Sequence, residues 1–141
     1  MMSNLSASQK NFVVTNPHLP DHPIVFASPG FYELTGYSKS EVIGRNCRFL
    51  QGPATDSRTV EKLRHSIEMG TEVSVRLQNY KADGTPFLNQ LFMAPLRNSN
   101  NEIVNFIGVQ CEVEPNDEAT IDTKDQQTRI LEKQEKILEE K

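Results

Sequence analysis

Three runs of alternating residues, separated by two short turns, fill the second half of the chain and leave few architectures open. Residues 72–80 place Val73, Val75, Leu77 and Asn79 on one face. Residues 86–96 do the same with Phe87, Asn89, Leu91 and Met93, and residues 103–113 form the third run. A period of two is the pattern of a strand with one buried face. Asp83-Gly84 suits the hairpin turn between the first two runs, and 98–102 reads as the turn before the third. The spacing predicts three consecutive antiparallel strands with one face in need of cover.

The first half supplies that cover. Phe12-Val13-Val14-Thr15 and Ile24-Val25-Phe26-Ala27 read as two short strands, joined by a segment with prolines at 17, 20 and 23 that must be a loop. Ser28-Pro29 gives an N-cap followed by proline at the first helical position, and Gly36 stops that helix. Ser38 with Glu41 forms a capping box for a second short helix ending at Gly44. Asp56 is a candidate cap for a longer helix in which Val60, Leu63 and Ile67 recur at the spacing of one buried face, closed by Gly70. The expectation is an α+β domain over 11–113, a five-stranded antiparallel sheet with short helices on one face. Residues 1–10 read as a disordered start or cap. Residues 114–141 read as a linker and helix, whose Ile130, Leu131, Ile137 and Leu138 repeat at seven residues as a short coiled-coil seam.

Chemistry concentrates in Gly44-Arg45-Asn46-Cys47-Arg48-Phe49-Leu50-Gln51-Gly52. A cation beside a thiol lowers its pKa, and the same cations suit a phosphate. Two readings stand on the residues alone: a reactive cysteine, or an anion site with a bystander thiol. A second signal comes from the strands. Asn79, Asn89 and Gln110 fall at positions whose neighbours on the same face are apolar. An unpartnered buried amide costs about 1–3 kcal/mol, so these amides either bond one another and the backbone or meet something polar inside. Arg48 and Arg64 have the bidentate fork that holds a phosphate; the alternative for both is an ordinary solvated surface.

The nonapeptide, together with Asn11-Phe12-Val13, Leu19-Pro20-Asp21, Phe26-Ala27-Ser28, Leu34-Thr35 and Phe106-Ile107-Gly108-Val109-Gln110, resembles the LOV (light-oxygen-voltage) domains, flavin-binding blue-light sensors of the PAS superfamily. The likeness runs without gaps from about residue 11 to 111 and is greatest to the phototropin and aureochrome types. It implies a PAS fold and FMN as chromophore. Cys47 would be the photoreactive thiol, forming a reversible bond to flavin C(4a), and Gln110 the relay of the signal. It implies Arg48 and Arg64 as phosphate ligands, and leaves Arg45 and Arg58 as surface. It implies cofactor contacts from Val13, Thr15, Asn46, Leu50, Gln51, Val60, Leu63, Ile67, Leu77, Asn79, Asn89, Leu91, Phe106, Ile107 and Gly108. Two departures from the plant pattern are His22 and Leu88, expected to lie in a loop or off the flavin-facing side.

A net charge of −4 argues against nucleic acid as a direct partner. The two cysteines make no disulfide framework, and a free Cys47 fits a reducing compartment, so a cytoplasmic location is expected. There is no apolar leader and no run long enough for a membrane span, nor is there metal-ligand spacing around the histidines. The expected partners are a second copy, through the sheet face and C-terminal helix, and an effector the sequence does not name. An enzymatic role within this chain is not expected. The alternatives are a flavin oxidoreductase and a cofactor-free PAS interaction module.

Overall fold

The computed structural model describes residues 11–116. Their elements are β1 (Phe12–Thr15), β2 (Ile24–Ala27), α1 (Pro29–Thr35), α2 (Lys39–Val42), a single 3-10 turn (Cys47–Leu50), α3 (Ser57–Met69), β3 (Val73–Tyr80), β4 (Pro86–Arg97) and β5 (Ile103–Val113). The five strands form one antiparallel sheet in the order β2-β1-β5-β4-β3. β5, last in sequence, lies at the centre, paired with β1 on one side and β4 on the other. The expected sheet is therefore observed, with strand ends within one residue of the sequence reading. The heptad positions Ile130, Leu131, Ile137 and Leu138 and the 1–10 segment lie outside the described residues.

Local chemistry sets the helix ends. Ser28 accepts from the Phe31 N–H at 3.3 Å, capping α1, and from the Phe12 N–H at 3.0 Å, tying that helix to β1. Gly36 ends α1 with φ 79°, a left-handed conformation that costs glycine little. Glu41 reaches back to the Ser38 N–H at 2.9 Å, as the capping box requires. Asp56 caps α3, accepting from the Arg58 N–H and the Thr59 hydroxyl.

The helices lie against one face of the sheet, here the inner face. Strand register puts Val13, Thr15, Val75, Leu77, Asn79, Asn89, Leu91, Met93, Phe106, Gly108 and Gln110 on it. The other face carries Phe12, Val14, Phe92, Ala94, Leu96, Ile107 and Val109, a separate buried cluster. α1 and α2 enclose Val13, Ile24, Ala27, Phe31, Val42 and Leu50. α3 differs from its expected buried face: none of its side chains is fully buried, and only Leu63 and Ile67 pack partly against the β3–β4 cluster. The helix touches the sheet only through that edge, and the cleft that holds the site opens between α3, the Cys47 turn and the loop at His22.

Gly52 shows why the nonapeptide closes on glycine. A Cβ there would collide with the Tyr80 ring, whose hydroxyl accepts from the Ala54 N–H at 3.0 Å. Overpacking of this kind costs about 1–3 kcal/mol, and each kcal/mol lowers the melting temperature of a domain this size by about 4–8 °C. Gly52→Ala is expected to melt lower than wild type, and Tyr80→Leu in the same chain to recover part of the loss. An unchanged melting temperature for Gly52→Ala, read by circular dichroism, refutes the steric account.

Candidate functional site

The Cys47 turn is held at both ends. The Asn46 side chain accepts from the Arg48 N–H at 2.9 Å, capping the turn, and donates to the Asp21 carbonyl at 2.8 Å. Arg48 pairs with the Asp21 carboxylate at 2.5 Å, which holds that carboxyl below its usual range. These links fix the loop at Asp21 and His22, whose φ angles of 64° and 49° are unusual for residues with a side chain. His22 in turn meets the Thr15 hydroxyl at 2.6 Å and the Phe106 ring at 5.4 Å between centroids. Burial lowers its pKa, which keeps the imidazole neutral at pH 7.

Cys47 and Cys111 are not joined in a disulfide. Cys47 keeps some accessible surface, on the cavities it lines, but protein atoms surround the sulfur. Burial pushes the thiol up to about 12. Of the two readings open on the residues alone, the geometry does not support a thiol activated by its flanking arginines. Arg48 is directed to Asp21, and Arg45 lies over the Phe49 ring, its Cζ 4.5 Å from the centroid. At neutral pH Cys47 is therefore a thiol.

Three adjoining cavities meet at this turn. The innermost, about 30 Å³, is lined by Cys47, Leu50, Gln51, Leu63, Leu77, Asn79, Asn89, Leu91, Met93 and Gln110. A second, about 70 Å³, brings Thr15, His22, Asn46, Arg48 and Ile67 to the same thiol. The outer cleft, about 400 Å³, runs along α3 past Val60, Leu63, Arg64, Ile67 and Glu68, with His22, Asn46, Arg48 and Gln51 opposite. Arg64 pairs with Glu61, one turn earlier on its own helix. The two arginines thus share the outer mouth, each beside a carboxylate and each largely exposed.

The inner wall carries the three amides, all nearly fully buried. Two of them do bond each other and the backbone: Asn89 donates to the Asn79 carbonyl oxygen at 2.9 Å and accepts from the Cys111 N–H at 3.1 Å, and Asn79 donates to the Gln78 carbonyl at 3.1 Å. Gln110 differs. Its Oε1 is buried and has no hydrogen-bond partner among the described residues. A buried polar atom without a partner is the costly case, and this one belongs to a side chain that lines the same cavity as the thiol.

Most residues named from the sequence converge here, but not all. Ile107 is corrected: it pairs with Val14 and Ala94 and is buried on the opposite face. Phe106, Ile107 and Gly108 are consecutive, and a strand cannot turn all three the same way. Val13 packs with Ile24 and Phe31 beneath the helices. Phe106 joins the Leu91–Met93 cluster behind His22. Gly108 is approached by protein atoms, a Cβ there falling 3.2 Å from the Met93 sulfur. Three cleft residues escape the sequence reading. Met93 carries a signal, sharing parity with Asn89 and Leu91. Glu68 follows Ile67 on α3. His22 sits, as expected, in the proline-rich loop, and that loop is part of the cleft wall.

The family model described as PAS domain matches residues 11–113. Phototropin-1A of Oryza sativa subsp. japonica is 48% identical over 119 residues, which are 84% of this chain and 13% of that protein, so the chain spans a small part of that relative's length. A solved structure described as the dark structure of the blue-light photoreceptor Aureochrome1 LOV is 55% identical, with a TM-score of 0.75, over 79% of this chain and 80% of that one. Another, from work described as a flavin analogue shedding light on the light-oxygen-voltage domain mechanism, is 54% identical, with a TM-score of 0.74, over 79% and 83%. On the family match and on this degree of likeness over most of both chains, the chain belongs to the PAS domains, and within them to the LOV type.

Proposed function

We propose that this chain is a blue-light sensor domain that holds FMN in the cleft along α3, with Cys47 as its photoreactive group. The observation that carries the reading is the pairing, on one cavity, of a buried neutral thiol with the unpartnered Gln110 oxygen. The donor set fits a flavin: amides for the carbonyls and N–H of the ring edge, apolar Leu50, Val60, Leu63, Ile67, Leu77 and Leu91 for its faces, and Arg48 with Arg64 for a phosphate. The inner cavities are narrow. α3, which buries no side chain, is the wall that yields most readily to a ring.

When bound, FMN supplies light absorption and an electrophilic carbon. Cys47 would supply both the sulfur for a reversible bond to flavin C(4a) and the proton that N5 would take up, so the addition would need no outside oxidant or reductant. A thiol near pKa 12 brings its own proton to this step. Gln110, whose unpartnered oxygen lines the same cavity, would meet the ring edge and re-orient its amide when the bonding there changes. Its own backbone N–H donates to the Asn11 carbonyl at 2.7 Å, so the change is felt where β5 meets the start of the described chain. The output belongs to an effector, in keeping with the small share of a phototropin that this chain matches. The working location is the cytoplasm.

A yellow preparation that bleaches reversibly in blue light is the expected result. A colourless protein that takes up no FMN on addition would favour an interaction module, and turnover of a reduced nicotinamide a flavin oxidoreductase. Gln110→Leu keeps the volume but makes no hydrogen bond. It is expected to bleach normally, with a small blue shift of the flavin band and a weakened light-induced infrared difference in the amide region. A wild-type infrared response in that variant rules Gln110 out as the relay.

A further inference from the structure

We propose that Phe49, held by Arg45 and Tyr37, sets the rotation of the Cys47 turn and is a positioning residue for the thiol; this rests on the photochemical function proposed for Cys47. A 3-10 turn has three residues per turn, so it presents three sides. Cys47 and Leu50, three apart, line the inner cavity together. Arg48 points to the outer cleft and Asp21. Phe49 takes the third side, packed in the α1–α2 region. It meets the Tyr37 ring at 5.0 Å between centroids and 82° between planes. The Arg45 guanidinium covers its face at 4.5 Å.

The other two sides are held by the buried Leu50 and by the Asn46 cap with the Arg48–Asp21 pair, which leaves the third to Phe49. Backbone bonds at the ends of the turn run from the Phe49 N–H to the Asn46 carbonyl at a long 3.4 Å and from the Gln51 N–H to the Arg48 carbonyl at 2.9 Å. Arg45, by contrast, is firmly placed. Its carbonyl accepts from the Ile24 N–H at 2.8 Å, its neighbour Gly44 donates to the Ile24 carbonyl at 2.8 Å, and its guanidinium donates to the Glu41 carbonyl at 3.2 Å. The stack thus refers the orientation of a one-turn element to β2 and α2. Arg45, which reads from sequence as surface and is exposed, directs its charge at the Phe49 ring.

The test uses the full chain in the dark. A buried thiol is alkylated when its turn opens, so the iodoacetamide labelling rate of Cys47, followed by peptide mass spectrometry, reports that opening. Arg45→Gln is expected to raise the rate about twofold to fivefold, the range of an exposed cation–ring contact. Phe49→Leu should raise it further, and Arg45→Lys should restore the wild-type rate. Labelling of Cys111 and amide exchange in β5 should not move. A Cys47 rate in Arg45→Gln equal to wild type overturns the proposal. So does a parallel rise at Cys111, which marks global loosening. If Phe49→Leu does not fold, the Gln and Lys pair at 45 decides. Bleaching yield per absorbed photon should fall in Arg45→Gln in step with the labelling, and an unchanged yield overturns the proposal. A wild-type chain that never bleaches overturns the photochemical reading instead, and leaves the labelling to judge the stack.

Discussion

Cys47→Ala is expected to keep FMN and lose the blue-light bleach entirely. The cavity next to the sulfur loses one atom of a small side chain, while the amide row, the apolar lining and both arginines stay in place. With the bond-forming route gone, fluorescence under continuous blue light should rise above wild type. The measurement is the light-minus-dark absorbance difference at matched FMN content. Reversible bleaching that persists in the variant refutes the assignment and turns attention to Cys111. That residue is opposite Gln90 in the β4–β5 ladder, on the sheet face turned away from the cleft. Its geometry therefore predicts that Cys111→Ser bleaches like wild type.

Replacing both cleft arginines, Arg48→Gln with Arg64→Gln, should weaken FMN about 100-fold and leave riboflavin nearly unaffected. A charge-assisted hydrogen bond contributes about 1.5–3 kcal/mol. The low end applies here, about tenfold each, because both side chains are largely exposed and screened by water. Riboflavin lacks the phosphate, so titrating both ligands separates phosphate recognition from ring binding. An equal loss for the two ligands would mean that the arginines shape the cleft rather than read a phosphate. The melting temperature of the ligand-free chain should barely change, since exposed ion pairs such as those with Asp21 and Glu61 are screened by water.

The sheet was legible because its strands alternate strictly and its turns announce themselves. Asp83-Gly84 does form the hairpin, with Gly84 N–H bonded to the Lys81 carbonyl. The same alternation located the amides. Asn79, Asn89 and Gln110 break an apolar face, and nothing but position was needed to mark them. Ile107 was misplaced because likeness to a family was carried over as a block of neighbours, where a period of two should have split the block. α3 was misread for a different reason: the spacing of Val60, Leu63 and Ile67 reports which side of the helix is apolar, not how closely that side approaches the sheet. His22 and the Arg45–Phe49 contact were beyond sequence reasoning. The first depends on loop backbone and on distant Phe106, the second on how an irregular turn brings residues four apart face to face.

Asn46 and Arg48 do more than flank a sulfur. They hold Asp21 and with it the loop that walls the cleft, while Gly52 makes room for Tyr80. Asn46 and Gly52 thus shape the cleft whether or not a thiol stands between them, whereas Cys47 carries the chemistry. A chain with another small residue at 47 would keep the same walls around a site unable to react.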